Sequence, residues 1–158
     1  MQATHNALPR RKEQIVWNRL WWVGALVIAS SLVVNLLVRS AVLALFPTQI
    51  ITADHIIMLT VLGTLAAILV FTLVAWRATR PITLYRRIAV VALLLSFIPD
   101  ILIFVTGGYS GIVVGAYILM HITTAAICVI GLTKFTQARD KAEHPLRNSG
   151  RLVKQVKQ

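Results

Sequence analysis

The stretch "IAVVALLLSFIPDILIFVTGGYSGIVVGAYILMHITTAAICVIGL", residues 88–132, decides the fold of this chain. As one helix rising 1.5 Å per residue it would be about 68 Å long, twice the roughly 30 Å of a hydrocarbon core. In its middle, "TGGYSG", residues 106–111, has the glycines of a turn. We therefore predict two membrane-spanning helices, residues 88–105 and 112–132.

Two further apolar segments, residues 20–46 and 56–76, are each long enough to cross a membrane. Of the 158 residues, 58% are hydrophobic and 13% are charged, and the mean hydropathy is +0.78, which is outside the usual range of soluble domains. We expect an all-α, four-transmembrane-helix bundle over residues 20–132, between a basic N-terminal segment, residues 1–19, and a basic tail, residues 133–158.

The positions of the basic residues fix the expected orientation. Fifteen of the 16 Lys and Arg residues lie before the first span, between the second and third, or after the fourth, and the two other loops have none. By the positive-inside rule, both termini are cytoplasmic in a multi-pass protein of the cell (cytoplasmic) membrane. An aromatic belt at the cytoplasmic ends of the spans agrees with this orientation. It consists of Trp17, Trp21, Trp22 and Trp76.

Part of this basic charge is predicted to contact anionic lipid headgroups on the cytoplasmic face. The predicted contacts are Arg86, Arg87, Arg147, Arg151, Lys154 and Lys157. Each basic residue near an anionic surface contributes about 1 kcal/mol. A solvated tail that only sets the topology explains the tail charges equally well. Nucleic-acid binding is not expected, because no aromatic interleaving or recognition module accompanies the charge.

Polar side chains inside the spans lie at similar depths in the outer half of the bilayer and recur at spacings of three or four residues. Turning these faces inward keeps them out of lipid, so we predict an intramembrane polar cluster. Its members are Asn35, Arg39, Thr60, Thr64, Ser96, Asp100 and His121. Asp100 is expected to pair with Arg39, the only intramembrane charge of opposite sign, and Pro99 to kink the third helix.

Two interpretations of this cluster stay open. Arg39 and Asp100 lie near enough to the outer interface to reach headgroups separately, and His121 could donate to a backbone carbonyl. A buried ion pair can also be purely architectural. Structural and functional roles are therefore both compatible with the pattern.

Enzymatic and cofactor chemistry has little support in the sequence. "GYSG", residues 108–111, matches the GxSG of rhomboid-type intramembrane proteases, but His121 lies about 16 Å from Ser110 along one helix, too far to act as its base. The single cysteine, Cys128, excludes an internal disulfide and a thiolate metal cluster. His121 is the only histidine deep in a span, so a bis-histidine haem site is not expected either. We expect no metal, no cofactor and no enzymatic activity.

Two segments, "SFIPDILIF" at residues 96–104 and "YILMHITTAAICVIGLTK" at residues 117–134, resemble a bacterial family of small four-helix integral membrane proteins classed as a domain of unknown function. The matching features are a basic junction before the third helix, a helix-breaking proline, a Met-His pair and a Gly-Leu ahead of a basic residue. They correspond to Arg86 and Arg87, Pro99, Met120 and His121, and Gly131 and Leu132 before Lys134. The resemblance implies a bacterial cytoplasmic membrane and supplies no activity.

The function favoured by these observations is that of a non-enzymatic accessory or scaffold subunit acting through helix–helix interactions. The expected assembly is a larger membrane complex or a homo-oligomer, and a partner in fixed stoichiometry favours this role, whereas a homo-oligomer favours transport. Small-residue pairs such as Gly111 and Gly115, which permit close helix approach, agree with this role. The alternative is a small transporter or channel component that uses Asp100 and His121, because such groups build proton relays.

The orientation predicts which introduced cysteines a membrane-impermeant thiol reagent reaches in intact cells. Cysteines at Thr52 or Ser110 are expected to be labelled from outside, and cysteines at Thr83 or Ser149 are expected to be protected. The reverse labelling pattern would overturn the orientation.

Overall fold

The computed structural model describes residues 15–47 and 52–137. These residues form four helices in chain order: α1 (Trp17–Leu45), α2 (Ala53–Arg77), α3 (Pro81–Val105) and α4 (Gly111–Phe135). Each helix is long and apolar enough to cross a membrane. Within the described residues there is no strand, only an isolated antiparallel bridge between Ile15 and Gln137. The predicted all-α, four-helix architecture is confirmed.

The start of α3 differs from the predicted apolar span. The helix begins at Pro81, seven residues before the expected start at residue 88. Proline fits the first position of a helix because its fixed φ is helical and its missing N–H would have no partner there. Arg86 and Arg87 therefore lie on the first two turns of α3, where both are exposed. The helix continues through Pro99 to Val105.

The turn between α3 and α4 is where the glycines predicted it. Gly107 has a φ of +75°, which glycine adopts without steric cost. Its N–H donates to the Phe104 carbonyl, and the Gly108 N–H donates to the Ile103 carbonyl, which closes the end of α3. At the start of α4 the Ser110 hydroxyl accepts from the Val113 N–H at 3.5 Å. The two helices thus end and begin with satisfied backbone groups.

The four helices form a ring in which α1 packs against α2 and α4, and α3 packs against α2 and α4. A diagonal contact joins α2 to α4, whereas α1 and α3 do not contact each other over the described residues. The Val16 N–H donates to the Thr136 carbonyl at 2.9 Å, so the start of α1 and the end of α4 lie side by side. We call the membrane face at which these two ends meet the terminal face.

Two apolar clusters fill the bundle. The cluster nearer the terminal face contains Val23, Val27, Phe71, Val74, Tyr85, Cys128 and Leu132. The second, near the opposite face, contains Ile56, Val113, Ala116 and Met120. Tyr85 is the only residue of α3 in either cluster, and its ring packs edge-on against Phe71 with centroids 5.0 Å apart. No residue of the described stretch 86–105 is buried, so most of α3 lies on the outside of the bundle.

Close approach of α1 and α4 depends on Gly131. A Cβ atom added at this position would lie 2.5 Å from Cγ2 of Val27, nearer than atoms can pack. At Gly115, which forms a small-residue pair with Gly111, an added Cβ would meet nothing within 4 Å, and the same holds at Gly63. Among the described glycines, the tightest approach to another helix is therefore at Gly131, outside that pair.

Gly131→Ala is expected to destabilise the bundle by about 1–3 kcal/mol, because Val27 is stiff at χ1 and cannot move away freely. Thermal unfolding in detergent measures the change. Gly115→Ala makes the same substitution in the same helix without a neighbour and should leave stability unchanged or slightly raised. Adding Val27→Ala should restore part of the loss in Gly131→Ala, and equal melting temperatures for the two glycine variants would contradict the proposed role of Gly131.

Candidate intramembrane polar site

The side-chain amide of Asn35 links three helices in the middle of the bundle. Asn35 lies on α1 and is 4% exposed. Its Nδ2 donates to Thr60 Oγ1 on α2 at 2.9 Å and to Thr124 Oγ1 on α4 at 3.0 Å. The Thr123 hydroxyl lies 3.5 Å from Asn35 Oδ1. We call these four residues the Asn35 node.

One helical turn nearer the terminal face, Ser31 and Thr64 form a second polar layer. Both side chains are fully buried. Thr64 Oγ1 donates within its own helix, to the carbonyls of Thr60 at 2.7 Å and Val61 at 3.0 Å. Ser31 Oγ is buried and has no hydrogen-bond partner among the described residues. Thr64 therefore lies next to the node but is satisfied without it.

A separate polar contact joins α3 to α4. Asp100 Oδ2 lies 3.1 Å from His121 Nε2, and the two side chains are 12% and 39% exposed. The Phe97 ring lies beside the imidazole, with ring centroids 6.5 Å apart. This Asp100–His121 pair is at the outer edge of the seam between α3 and α4, because His121 keeps more than a third of its surface open.

The predicted polar cluster thus divides into two sites. Asn35 and Thr60 belong to the node, and Asp100 and His121 form the pair. Ser96 joins neither, since its hydroxyl donates to the Leu93 carbonyl of its own helix at 2.7 Å. Arg39 is half-buried on α1. The described ion-pair contact of the Asp100 carboxylate is to His121. The expected pairing of Arg39 with Asp100 stays a prediction.

Thr123 and Thr124 are partners of Asn35 that the predicted cluster did not include. Thr124 shares the polar stripe of His121 on α4, three residues further along, and this spacing was the available signal. Thr123 lies outside that stripe and also donates to the Leu119 carbonyl of its own helix at 3.0 Å. Its proximity to Asn35 follows from how closely α1 and α4 pack, which spacing alone does not specify.

The remaining predicted site residues lie near the membrane surfaces or beyond the described chain. Arg86 and Arg87 are exposed on the first turns of α3, as headgroup contact requires. Pro99 is exposed on the outer side of α3. The four predicted tail contacts, Arg147, Arg151, Lys154 and Lys157, are outside the described residues.

The arrangement supports hydrogen bonding and proton binding more readily than covalent catalysis. The Ser110 hydroxyl, the nucleophile suggested by the GxSG match, serves as the N-cap of α4. Among the described residues, no group of three His, Cys, Asp or Glu side chains is arranged to hold a metal ion. Asp100 and His121 remain as an acid and a base in direct contact at the edge of the bundle.

No family model, curated protein or solved structure matches the chain. The resemblance to small four-helix bacterial membrane proteins therefore depends on the short motifs quoted above and stays a prediction.

The node predicts a cost for removing one of its hydroxyls. Thr60→Val keeps the shape of the side chain but leaves one Nδ2 proton of Asn35 without an acceptor, so we expect a loss of about 1 kcal/mol in the free energy of unfolding. Unfolding in detergent measures it. Thr72→Val is the matched control, because the Thr72 hydroxyl donates only within α2, to the Ile68 carbonyl. Equal effects of the two variants would show that the node does not join the helices energetically.

Proposed function

We propose that this multi-pass membrane protein is a non-enzymatic accessory or scaffold subunit that acts through helix–helix contacts inside the membrane. In this proposal it resides in a bacterial cytoplasmic membrane with both termini in the cytoplasm and binds anionic headgroups on that face. The proposal is supported above all by one observation, the partly exposed Asp100–His121 pair, which joins α4 to α3, the helix with the fewest buried residues.

The pair matters because ionisable side chains are costly next to hydrocarbon. Asp100 is largely covered by its own bundle, but His121 has 39% of its side chain open. A helix from another subunit that packs on this seam would shield the imidazole from lipid and offer it further hydrogen-bond partners. The seam is therefore the part of the surface that gains most from a protein neighbour.

The outer face of α3 offers a partner a second surface, which is apolar. Five large side chains on consecutive turns of this helix are each more than half exposed. They are Leu94, Leu95, Ile98, Ile101 and Leu102. Pro99 lies among them and is exposed as well. Asp100 lies on the other side of α3, against His121 of α4, so in this proposal the apolar face and the open edge of the pair are covered from two sides.

The partner contact is tested by purification in mild detergent from the native membrane. We expect a partner protein in fixed stoichiometry, and Ile98→Trp should reduce its recovery at least fivefold, because the larger ring blocks close packing. Leu37→Trp is the control, since Leu37 is similarly exposed but lies on α1. A homo-oligomer would instead favour the transport function below, and a monomer with no partner would contradict the accessory role.

A small transporter or channel component is the second candidate, and the same pair favours it. Histidine in its unperturbed state changes charge near pH 6.5, and a carboxylate beside it can accept the proton. Asp100 and His121 are in contact within the membrane-spanning part of α3 and α4. A proton path through them needs a second polar surface, which a homo-oligomer would provide.

If the protein is a transporter or channel component, the wild-type protein in vesicles should give pH-dependent proton or ion flux. His121→Gln should abolish this flux without unfolding the bundle. His55→Gln is the control, because His55 is exposed at the start of α2. In a purely structural role, His121→Gln is tolerated in every assay, whereas His121→Leu costs about 1–3 kcal/mol of stability by leaving Asp100 without its partner. Absence of flux from folded wild-type protein would eliminate transport.

A further inference from the structure

A groove of about 250 Å³ lies where α2 ends and α3 begins. Its lining consists of Leu73, Val74, Arg77, Ala78 and Leu84. Four of these five side chains are apolar, and the fifth is a cation at the last residue of α2. The groove thus combines an apolar floor with a single positive group at its edge.

The order of these residues along α2 matches the order of groups in a phospholipid. Leu73 lies four residues before Arg77, which places it about 6 Å deeper in the membrane. Trp76, which is 72% exposed, marks the interface where aromatic rings concentrate. The Arg77 guanidinium carbon is 5.7 Å from the centre of the Trp76 ring, a cation–π distance that keeps the charge at this level. A phospholipid whose acyl chain packs on Leu73 would have its phosphate at the level of Arg77.

The charge around the groove selects the headgroup. Residues 77–87 contain four arginines and no Asp or Glu. Arg87 lies three residues after Leu84 on the same side of α3, and Arg80 is the residue immediately before that helix. A guanidinium binds phosphate oxygens in a bidentate manner, and neighbouring positive charge favours a headgroup with net negative charge over a zwitterion.

We propose that this groove is a binding site for one anionic phospholipid, with an acyl chain on Leu73, Val74, Ala78 and Leu84 and the phosphate on Arg77. The lipid belongs to the leaflet that contains the C-terminal end of α2. It bridges α2 and α3 at the turn where α3 has its few buried residues, Pro81, Ile82 and Tyr85. The inference rests on the headgroup binding in the proposed function and not on the accessory role.

The test uses Trp76 as a fluorescent reporter beside the site. Trp17, Trp21 and Trp22 are replaced by Phe, and the protein in detergent micelles is titrated with phosphatidylglycerol or phosphatidylcholine carrying brominated chains, which quench a neighbouring indole. We expect phosphatidylglycerol to reach half-maximal quenching at about one-fifth of the concentration of phosphatidylcholine, the effect of one basic group near an anionic surface. Arg77→Gln should remove this preference. Ala78→Leu should fill the groove and weaken quenching by both lipids.

Two matched variants distinguish a specific lipid-binding site from a general effect of basic surface charge. Arg19→Gln removes one exposed charge at the start of α1, at the same membrane face, and Thr79→Leu enlarges the exposed residue next to the groove lining. Both should behave like the unmodified reporter protein. Arg77→Lys keeps the charge without the bidentate geometry and should retain a reduced preference even if Arg77→Gln fails to fold. Equal losses in Arg77→Gln and Arg19→Gln, no effect of Ala78→Leu, or displacement of the lipid by inorganic phosphate at equal concentration would each overturn the proposal.

Discussion

The hydrocarbon core of a bilayer contains no water, so the side-chain amide of Asn35 needs hydrogen-bond partners within the protein. It has two on other helices, Thr60 of α2 and Thr124 of α4. Both protons of one planar amide nitrogen are used, so these two hydroxyls must lie at one depth and on one side of α1. The node thereby sets the rotation of three helices relative to one another, and the apolar clusters on either side of it pack in the register that it allows.

The remaining helix, α3, is held differently. No side chain of α3 takes part in the described hydrogen bonds of the node. Its attachment consists of Tyr85 against Phe71 near the terminal face and the Asp100–His121 contact toward the opposite face, with exposed apolar residues between them. Fewer buried contacts mean a lower free energy of local opening, so α3 is the helix whose position can change with the least cost to the others.

Spacing and length predicted much of this structure, because they depend on one chain segment at a time. The four helices, the glycine turn and the shared layer of Asn35 and Thr60 follow from apolar length, turn residues and depth. Which helices pack against each other does not follow from these features. That Asp100 lies against His121 depends on α3 adjoining α4, which spacing does not specify, and its pairing with Arg39 stays a prediction. Gly131 was missed for the same reason, since its importance comes from Val27 on another helix.

The two polar sites therefore have different consequences for the molecule. The node contains only neutral groups, and its central amide is buried, so its charge does not change with pH or with a neighbour. The Asp100–His121 pair contains ionisable groups, is partly open, and joins α4 to α3, the one helix that the described hydrogen bonds of the node do not reach. Under the proposed function, a partner helix that packs on the pair would act on α3, while the hydrogen bonds of Asn35 join α1, α2 and α4. The two sites thus make separate contributions to the bundle, because the node links three helices and the seam attaches α3 to α4.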